Sequence, residues 1–265
     1  MAEPGATAGD LLERARSAPA DATLAARALP LLDLTSLNEA DTEADIERLC
    51  RRAVTYGTAA VCIWPRFVPR AKGLLRGSGV RLATVANFPQ GSDDIARAAE
   101  ECAAAAGDGA EEIDVVAPIA AIREGDIGMV SELVTACRAA APEATLKVIL
   151  ETGTLAEPSL IAGAARAAVM ARCDFLKTST GKAEVGATLE AAAVLLAVIE
   201  EAGGRVGLKV AGGIRTARQA ASYLYLAEHL IDPSWASPKT FRFGASALLD
   251  DLLRALPPGS AEAET

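Results

Sequence analysis

The sequence has one histidine, His229, and no CxxC pair among its five cysteines, Cys50, Cys62, Cys102, Cys137 and Cys173. A single histidine cannot build the His-rich zinc site of a metal-dependent aldolase. Cysteines that are odd in number and widely spaced suggest neither a disulfide framework nor a zinc knuckle. They read as small core residues in a reducing compartment. Basic character is also scarce: the formal net charge is −9. That argues against a nucleic-acid binder, which needs a basic face, but leaves room for a local basic pocket. No window approaches the roughly 20 apolar residues of a membrane span, so no membrane partner is expected. The opening MAEPGATAGDLLERARSAPADA carries acids and prolines where a signal peptide needs an apolar run. A soluble, cytoplasmic protein is expected.

What the sequence does have is alternation. Short apolar segments fall at Leu29–Leu34, Ala59–Ile63, Leu82–Asn87, Glu112–Ala117, Leu146–Glu151, Asp174–Thr178, Val206–Val210 and Phe241–Gly244. Amphipathic stretches separate them at Glu43–Val54, Asp94–Ala106, Gly128–Ala141, Ser159–Arg172, Thr188–Ala202 and Thr216–Leu230, with a last one at Ala247–Leu256. Eight strands alternating with helices predict an α/β fold of the closed (β/α)₈ barrel type. An open doubly wound sheet would carry a Gly-rich turn after its first strand; here that turn reads DLTSLNEAD, without glycine. No linker divides the chain. The expected organisation is an N-terminal helical extension over 1–27, a barrel over 28–256 and a mobile tail over 257–265.

In such a barrel the active site lies at the C-terminal ends of the strands. The polar residues there are Asp33 and Thr35, Cys62, Asn87, Asp114, Lys147 and Glu151, Lys177, and Lys209. Three lysines and several acids would then point into one interior and supply one another's partners. An ion network that merely fills the barrel is the competing reading, although ionic groups are a costly way to fill a core.

Within this set the octapeptide Phe175–Lys182, FLKTSTGK, is the most informative. Burial of Lys177 would lower its pKa, and a neutral amine can form a Schiff base with a carbonyl. Lys209 nearby would act in the same direction, because two close ammonium groups cannot both stay charged cheaply. Asp114 could relay protons. The octapeptide alone is equally compatible with a strand lysine that snorkels to the surface. Thr178 and its neighbours add hydroxyls beside Lys177. Ala211-Gly212-Gly213-Ile214-Arg215 and Gly244-Ala245-Ser246 follow strands seven and eight, the usual phosphate seat of these barrels; Gly181 and Lys182 could add a contact. Two tight turns without a ligand are the alternative. TSTGKA is not a P-loop, since the upstream glycine and the Ser/Thr after Lys182 are missing. Asp93, Asp94, Asp250 and Asp251 read as helix caps or solvated faces.

Taken together, LLDLTSLN, AAVCIWPRFVPRA, ATVANFPQGSDD, GAEEIDVVAPIAAIREGD, LKVILETGTL, DFLKTSTGKAEVGAT, GLKVAGGIRTA and FRFGASALLDDLL resemble the deoxyribose-phosphate aldolases, in the family's order, from about Leu32 to Leu256. The resemblance implies a barrel that reversibly cleaves 2-deoxy-D-ribose 5-phosphate to D-glyceraldehyde 3-phosphate and acetaldehyde in deoxyribonucleotide catabolism, with no metal or other cofactor. It implies Lys177 as the Schiff-base lysine, Lys209 as the residue that lowers its pKa, and Asp114 as a proton-transfer group. Asp33 and Lys147 would line the pocket, and Gly181, Lys182, Gly212, Gly213 and Ser246 would hold phosphate. A homodimer is also implied. Two departures stand out. Ala247 replaces a second serine that some members carry, and no tyrosine follows Tyr225 where some members end in a catalytic one. Another lysine-dependent phosphosugar aldolase and a non-catalytic phosphosugar-binding barrel are the alternatives.

Overall fold

The computed structural model describes residues 7–257. Most of the expected tail, 258–265, lies outside the described residues. Eight parallel strands close on one another in sequence order, β1 to β8, and form a barrel. They are β1 Leu32–Ser36, β2 Ala60–Ile63, β3 Arg81–Ala86, β4 Glu112–Val116, β5 Thr145–Ile149, β6 Phe175–Lys177, β7 Gly207–Ala211 and β8 Phe241–Ala245. The closing pair is β1 with β8, where Asp33 lies opposite Gly244. The expected (β/α)₈ fold is therefore the observed one.

Helices follow the strands because each crossover must return to the same end of a parallel sheet. Several begin at side-chain caps legible in the sequence. Thr42 and Asp45 form a capping box, as do Thr216 and Gln219. Asp94 and Thr188 accept from the backbone of the first turn of their helices. Asp251 accepts from Ala217 N at 2.7 Å, which ties the last helix to its neighbour. The first strand begins later than the sequence pattern indicates. Pro30 sits in a 3₁₀ turn over Leu29–Leu31, and pairing starts at Leu32. The described part of the N-terminal extension contains the helices Ala8–Arg16 and Ala22–Ala28; they pack on the Ala217–Leu230 helix, and the second also packs on Leu248–Ala255.

The period-2 alternation of each strand sorts side chains between two cores. Outward residues such as Leu34, Val61, Ile113, Val148, Leu208 and Phe243 join the main apolar layer between sheet and helices, where Cys50, Cys102, Cys137 and Cys173 also lie. Ala60, Cys62, Ala83 and Val85 instead form a small second cluster inside the barrel, on the β2–β3 side. Much of the rest of the interior is ionic, with Phe175 beneath Arg242. His229 lies on an exposed helix face, stacked on Tyr225.

Candidate active site

The interior ions come from six strands. On β4 the inward positions are Glu112 and Asp114; the others are Asp33 on β1, Lys147 on β5, Lys177 on β6, Lys209 on β7 and Arg242 on β8. Register brings them together: Asp114 lies opposite Lys147, Lys177 opposite Lys209, and Lys209 opposite Arg242. All seven are buried.

Asp114 is the hub. Its Oδ2 accepts from Lys177 Nζ at 2.8 Å and from Lys209 Nζ at 2.7 Å, and its Oδ1 accepts from Lys147 Nζ at 2.9 Å. Lys209 also lies 2.6 Å from Asp33 Oδ2, and Lys147 lies 2.6 Å from Glu112 Oε2. Arg242 closes the lower side. Its Nη1 is 2.6 Å from Asp33 Oδ1, and it meets both oxygens of Glu112 at 3.0 and 3.2 Å. Gly244 makes room for this packing, since a Cβ there would come within 2.9 Å of Lys209 Cε.

Four cationic side chains thus share three carboxylates. One proton is in excess, and the surroundings decide which amine gives it up. Burial pushes the Lys177 amine below its ordinary value, and the Lys209 charge adds to that, against the pull of Asp114. Lys209 and Lys147 are equally buried, but Asp114 and Asp33 face Lys209, and Asp114, Glu112 and the more distant Asp33 face Lys147, which holds both amines above the ordinary lysine range. The lysines hold Asp114 well below the usual carboxylate range in spite of its burial, and Lys209 and Arg242 do the same for Asp33. Lys177, with one carboxylate contact, is the amine poised to be neutral.

Lys177 is also the one member of the network that reaches the cavity at the C-terminal ends of the strands. That cavity has a volume of about 320 Å³, within the usual range for a small-molecule site. Its rim includes Thr35 near the end of β1, Thr180, Gly181 and Lys182 after β6, Gly212, Gly213 and Arg215 after β7, and Ser246 and Ala247 after β8. Gly212 has φ +89°, and a Cβ there would meet Gly186 Cα at 3.0 Å and Ser179 Cβ at 3.3 Å. Lys182 Nζ donates to Leu37 O at 2.7 Å, which draws the loop after β6 towards the loop after β1.

Other expected positions lie outside the lining. Asp33, Asp114, Lys147 and Lys209 sit beneath it in the network. Cys62 is buried with its Sγ 4.0 Å from Asp114 Oδ2. The Thr178 hydroxyl bridges to β7, accepting from Ala211 N and donating to Ala211 O. Asn87 clamps its own loop through Ser92 and Val116 O. Glu151 follows β5 in the left-handed region and holds Thr180 through the backbone N–H and the hydroxyl. Glu112 and Arg242 are not among the site residues expected from the sequence, and neither is the Glu151–Thr180 pair; Arg215 lies in the loop after strand seven that is expected there. The signal for the first two was present, as charges at inward positions of apolar strands.

A closed parallel barrel that presents one buried amine to a cavity at the C-terminal ends of its strands has the layout of a barrel enzyme. The chain belongs to the DeoC/LacD family of aldolases: residues 27–253 match that family. Among solved structures, a candidate deoxyribose-phosphate aldolase from Coccidioides immitis is 28% identical, with 92% of this chain and 94% of that one covered and a TM-score of 0.80. An aldolase designated QR15 is 29% identical over 86% of this chain and 96% of its own, at a TM-score of 0.74. A tetrameric deoxyribose phosphate aldolase from Aeropyrum pernix is 26% identical, with 94% and 97% covered, at 0.73. Among the described residues no helix is long and apolar enough to cross a membrane.

Proposed function

We propose that the protein cleaves 2-deoxy-D-ribose 5-phosphate reversibly to D-glyceraldehyde 3-phosphate and acetaldehyde through a Schiff base on Lys177. The observation that carries this reading is the placement of Lys177: the amine least compensated by carboxylates is also the one that opens on the cavity. The motif resemblance supplies the substrate.

In this mechanism neutral Lys177 attacks C1 of the open-chain sugar phosphate, and loss of water gives an iminium. The positive nitrogen draws electrons from the C2–C3 bond as water held by Asp114 and Lys209 removes the C3 hydroxyl proton. Glyceraldehyde 3-phosphate leaves with C3 as its new carbonyl carbon. The remaining enamine is protonated at C2, and water releases acetaldehyde and regenerates the amine. Asp114 is too strongly held in its ionised form to act as a strong base by itself, so its role is to orient water and stabilise the protonated partners. The phosphate is assigned to Gly181, Lys182, Gly212, Gly213 and Ser246. Glycine N–H groups and the turn before the last helix suit an anion, and Arg215 adds a charge at the same rim. Thr35, on β1 beside β8, lines the same cavity. The subunit arrangement inferred from the resemblance is a homodimer in the cytoplasm.

Turnover of deoxyribose 5-phosphate in the presence of a chelator tests the reading. Formation of acetaldehyde and glyceraldehyde 3-phosphate at an undiminished rate is expected. No turnover of this sugar, with cleavage of another phosphosugar, would assign a different lysine-dependent aldolase. No cleavage of any phosphosugar would leave a binding protein.

A further inference from the structure

We propose that Arg242 and Glu112, at the end of the barrel opposite the cavity, are positioning residues that fix the charge balance of the interior and thereby keep Lys177 free of its proton. The proposal rests on the Schiff-base reading of Lys177. The network runs the length of the barrel, and its two ends open on different cavities. Lys177 lines the upper cavity, whereas Glu112 and Arg242 line a cavity of about 580 Å³ at the N-terminal ends of the strands. Asp33, Asp114, Lys147 and Lys209 are sealed between them.

The connection is continuous. Arg242 grips Glu112 through two nitrogens and Asp33 through one. Glu112 holds Lys147, Asp33 holds Lys209, and both lysines converge on the Asp114 carboxylate that faces Lys177. Arg242 is fixed further by donating from Nε to Pro238 O at 2.5 Å and by lying 5.6 Å above the Phe175 ring. Guanidinium does not deprotonate in a protein, so it is a permanent charge in this set. Each unit charge added or removed in a poorly solvated interior is felt at Lys177 across several ångströms.

The groups around Lys177 come from all sides. Asp114, Lys209 and Cys62 act on it directly; Asp33, Glu112, Lys147 and Arg242 lie behind them in the network, and β3 contributes the apolar Ala83 and Val85. Above the barrel ends are Glu151, Lys182 and Arg215. Arg81 lies 4.0 Å from Glu112 at the lower rim.

The test uses sign. Arg242→Met removes a positive charge, so Lys177 keeps its proton to higher pH. Glu112→Gln removes a negative charge and does the reverse. The double variant restores the balance. Lys177 is followed across pH by competitive labelling with acetic anhydride and mass spectrometry, which needs no aldolase chemistry. In parallel, borohydride trapping of acetaldehyde follows the same residue. We expect the acid limb of Lys177 reactivity to move up by roughly half a pH unit or more in Arg242→Met, down by as much in Glu112→Gln, and back to the wild-type position in the double variant. Arg242→Lys, which keeps the charge, should keep the limb while weakening the fold. Limbs that stay put, or move the same way in both single variants, would overturn the proposal. Should Arg242→Met fail to fold, Glu112→Gln alone must still show the downward shift or the proposal falls. Opposite shifts in labelling without any acetaldehyde adduct in the wild type would uphold this inference and defeat the Schiff-base reading.

Discussion

The two ends of the barrel contain the same kind of residue in opposite circumstances. At the lower end, Arg242 meets two carboxylates at 2.6–3.2 Å beside the larger cavity, of about 580 Å³. At the upper end, Lys177 meets one carboxylate, which it shares with two other lysines, beside a cavity of about 320 Å³. A fully paired cation holds its place and its proton; an underpaired amine can give its proton up and react. On the proposed reading, pairing rather than volume marks the reactive end, and the strand ends that carry glycine loops agree with it. The buried network is not an efficient stabiliser, because desolvation offsets much of its attraction. On the proposed reading its value lies in deciding which amine is neutral.

The sharpest way to break this contrast is at the hub. Asp114→Asn removes the carboxylate that three lysines share. Turnover should fall by at least about 100-fold, the scale of a lost acid–base group. Asp114 raises the Lys177 pKa, so its removal leaves the amine more easily neutral. The adduct with acetaldehyde should therefore still form. Single-turnover kinetics beside adduct trapping separate the two effects; loss of both together would place Asp114 in folding rather than in proton transfer.

Lys209 is the next point of attack. On the proposed mechanism Lys177 acts as the free amine, so the rate should fall as pH drops through its pKa. The Lys209 charge lowers that pKa, and removing the charge should move the acid limb to higher pH. Burial is the larger cause of the lowering, so the limb should stay below the ordinary lysine value of 10.5. Each unit of movement corresponds to roughly 1.4 kcal/mol. Lys209→Met and Lys209→Gln differ in polarity at similar length and should be compared by their pH–rate profiles. If both keep the wild-type profile and lose amplitude alone, Lys209 serves proton relay or positioning and the electrostatic account of the upper end is wrong.

The smallest expected effect concerns the rim. Gly212→Val forces a β-branched residue into φ +89° and crowds Gly186 and Ser179. KM for deoxyribose 5-phosphate should rise about tenfold or more, in line with one lost phosphate contact, while KM for unphosphorylated 2-deoxyribose changes little. Equal losses on both substrates would point to a disturbed fold.

The sequence discloses the barrel because its period is coarse and repeated: apolar strands recur between capped helices, and small errors at the ends of elements do not alter the count. The details it conceals are short. Val68–Leu74 contains Pro69 and Gly73, which hide its helical period, and Ile119–Arg123 and Thr152–Leu155 span too few turns to show one. Asp33, Asp114, Lys147, Lys177 and Lys209 are legible for one reason: a charge at an inward position of an apolar strand needs partners. Glu112 and Arg242 carry that same signal near the N-terminal ends of their strands, away from the end where chemistry is sought. The Glu151–Thr180 pair depends on a left-handed turn after β5, for which Glu gives no local cue.

The central claim is that Lys177 is the amine that reacts. Incubation with acetaldehyde and borohydride should fix a two-carbon adduct on Lys177, located by peptide mass spectrometry, because hydride reduces the iminium to a stable amine. Lys177→Ala should lose both adduct and turnover, while Lys147 and Lys209 remain unlabelled in the wild type. An adduct on a different lysine, or none on a protein that turns over its substrate, would contradict the account.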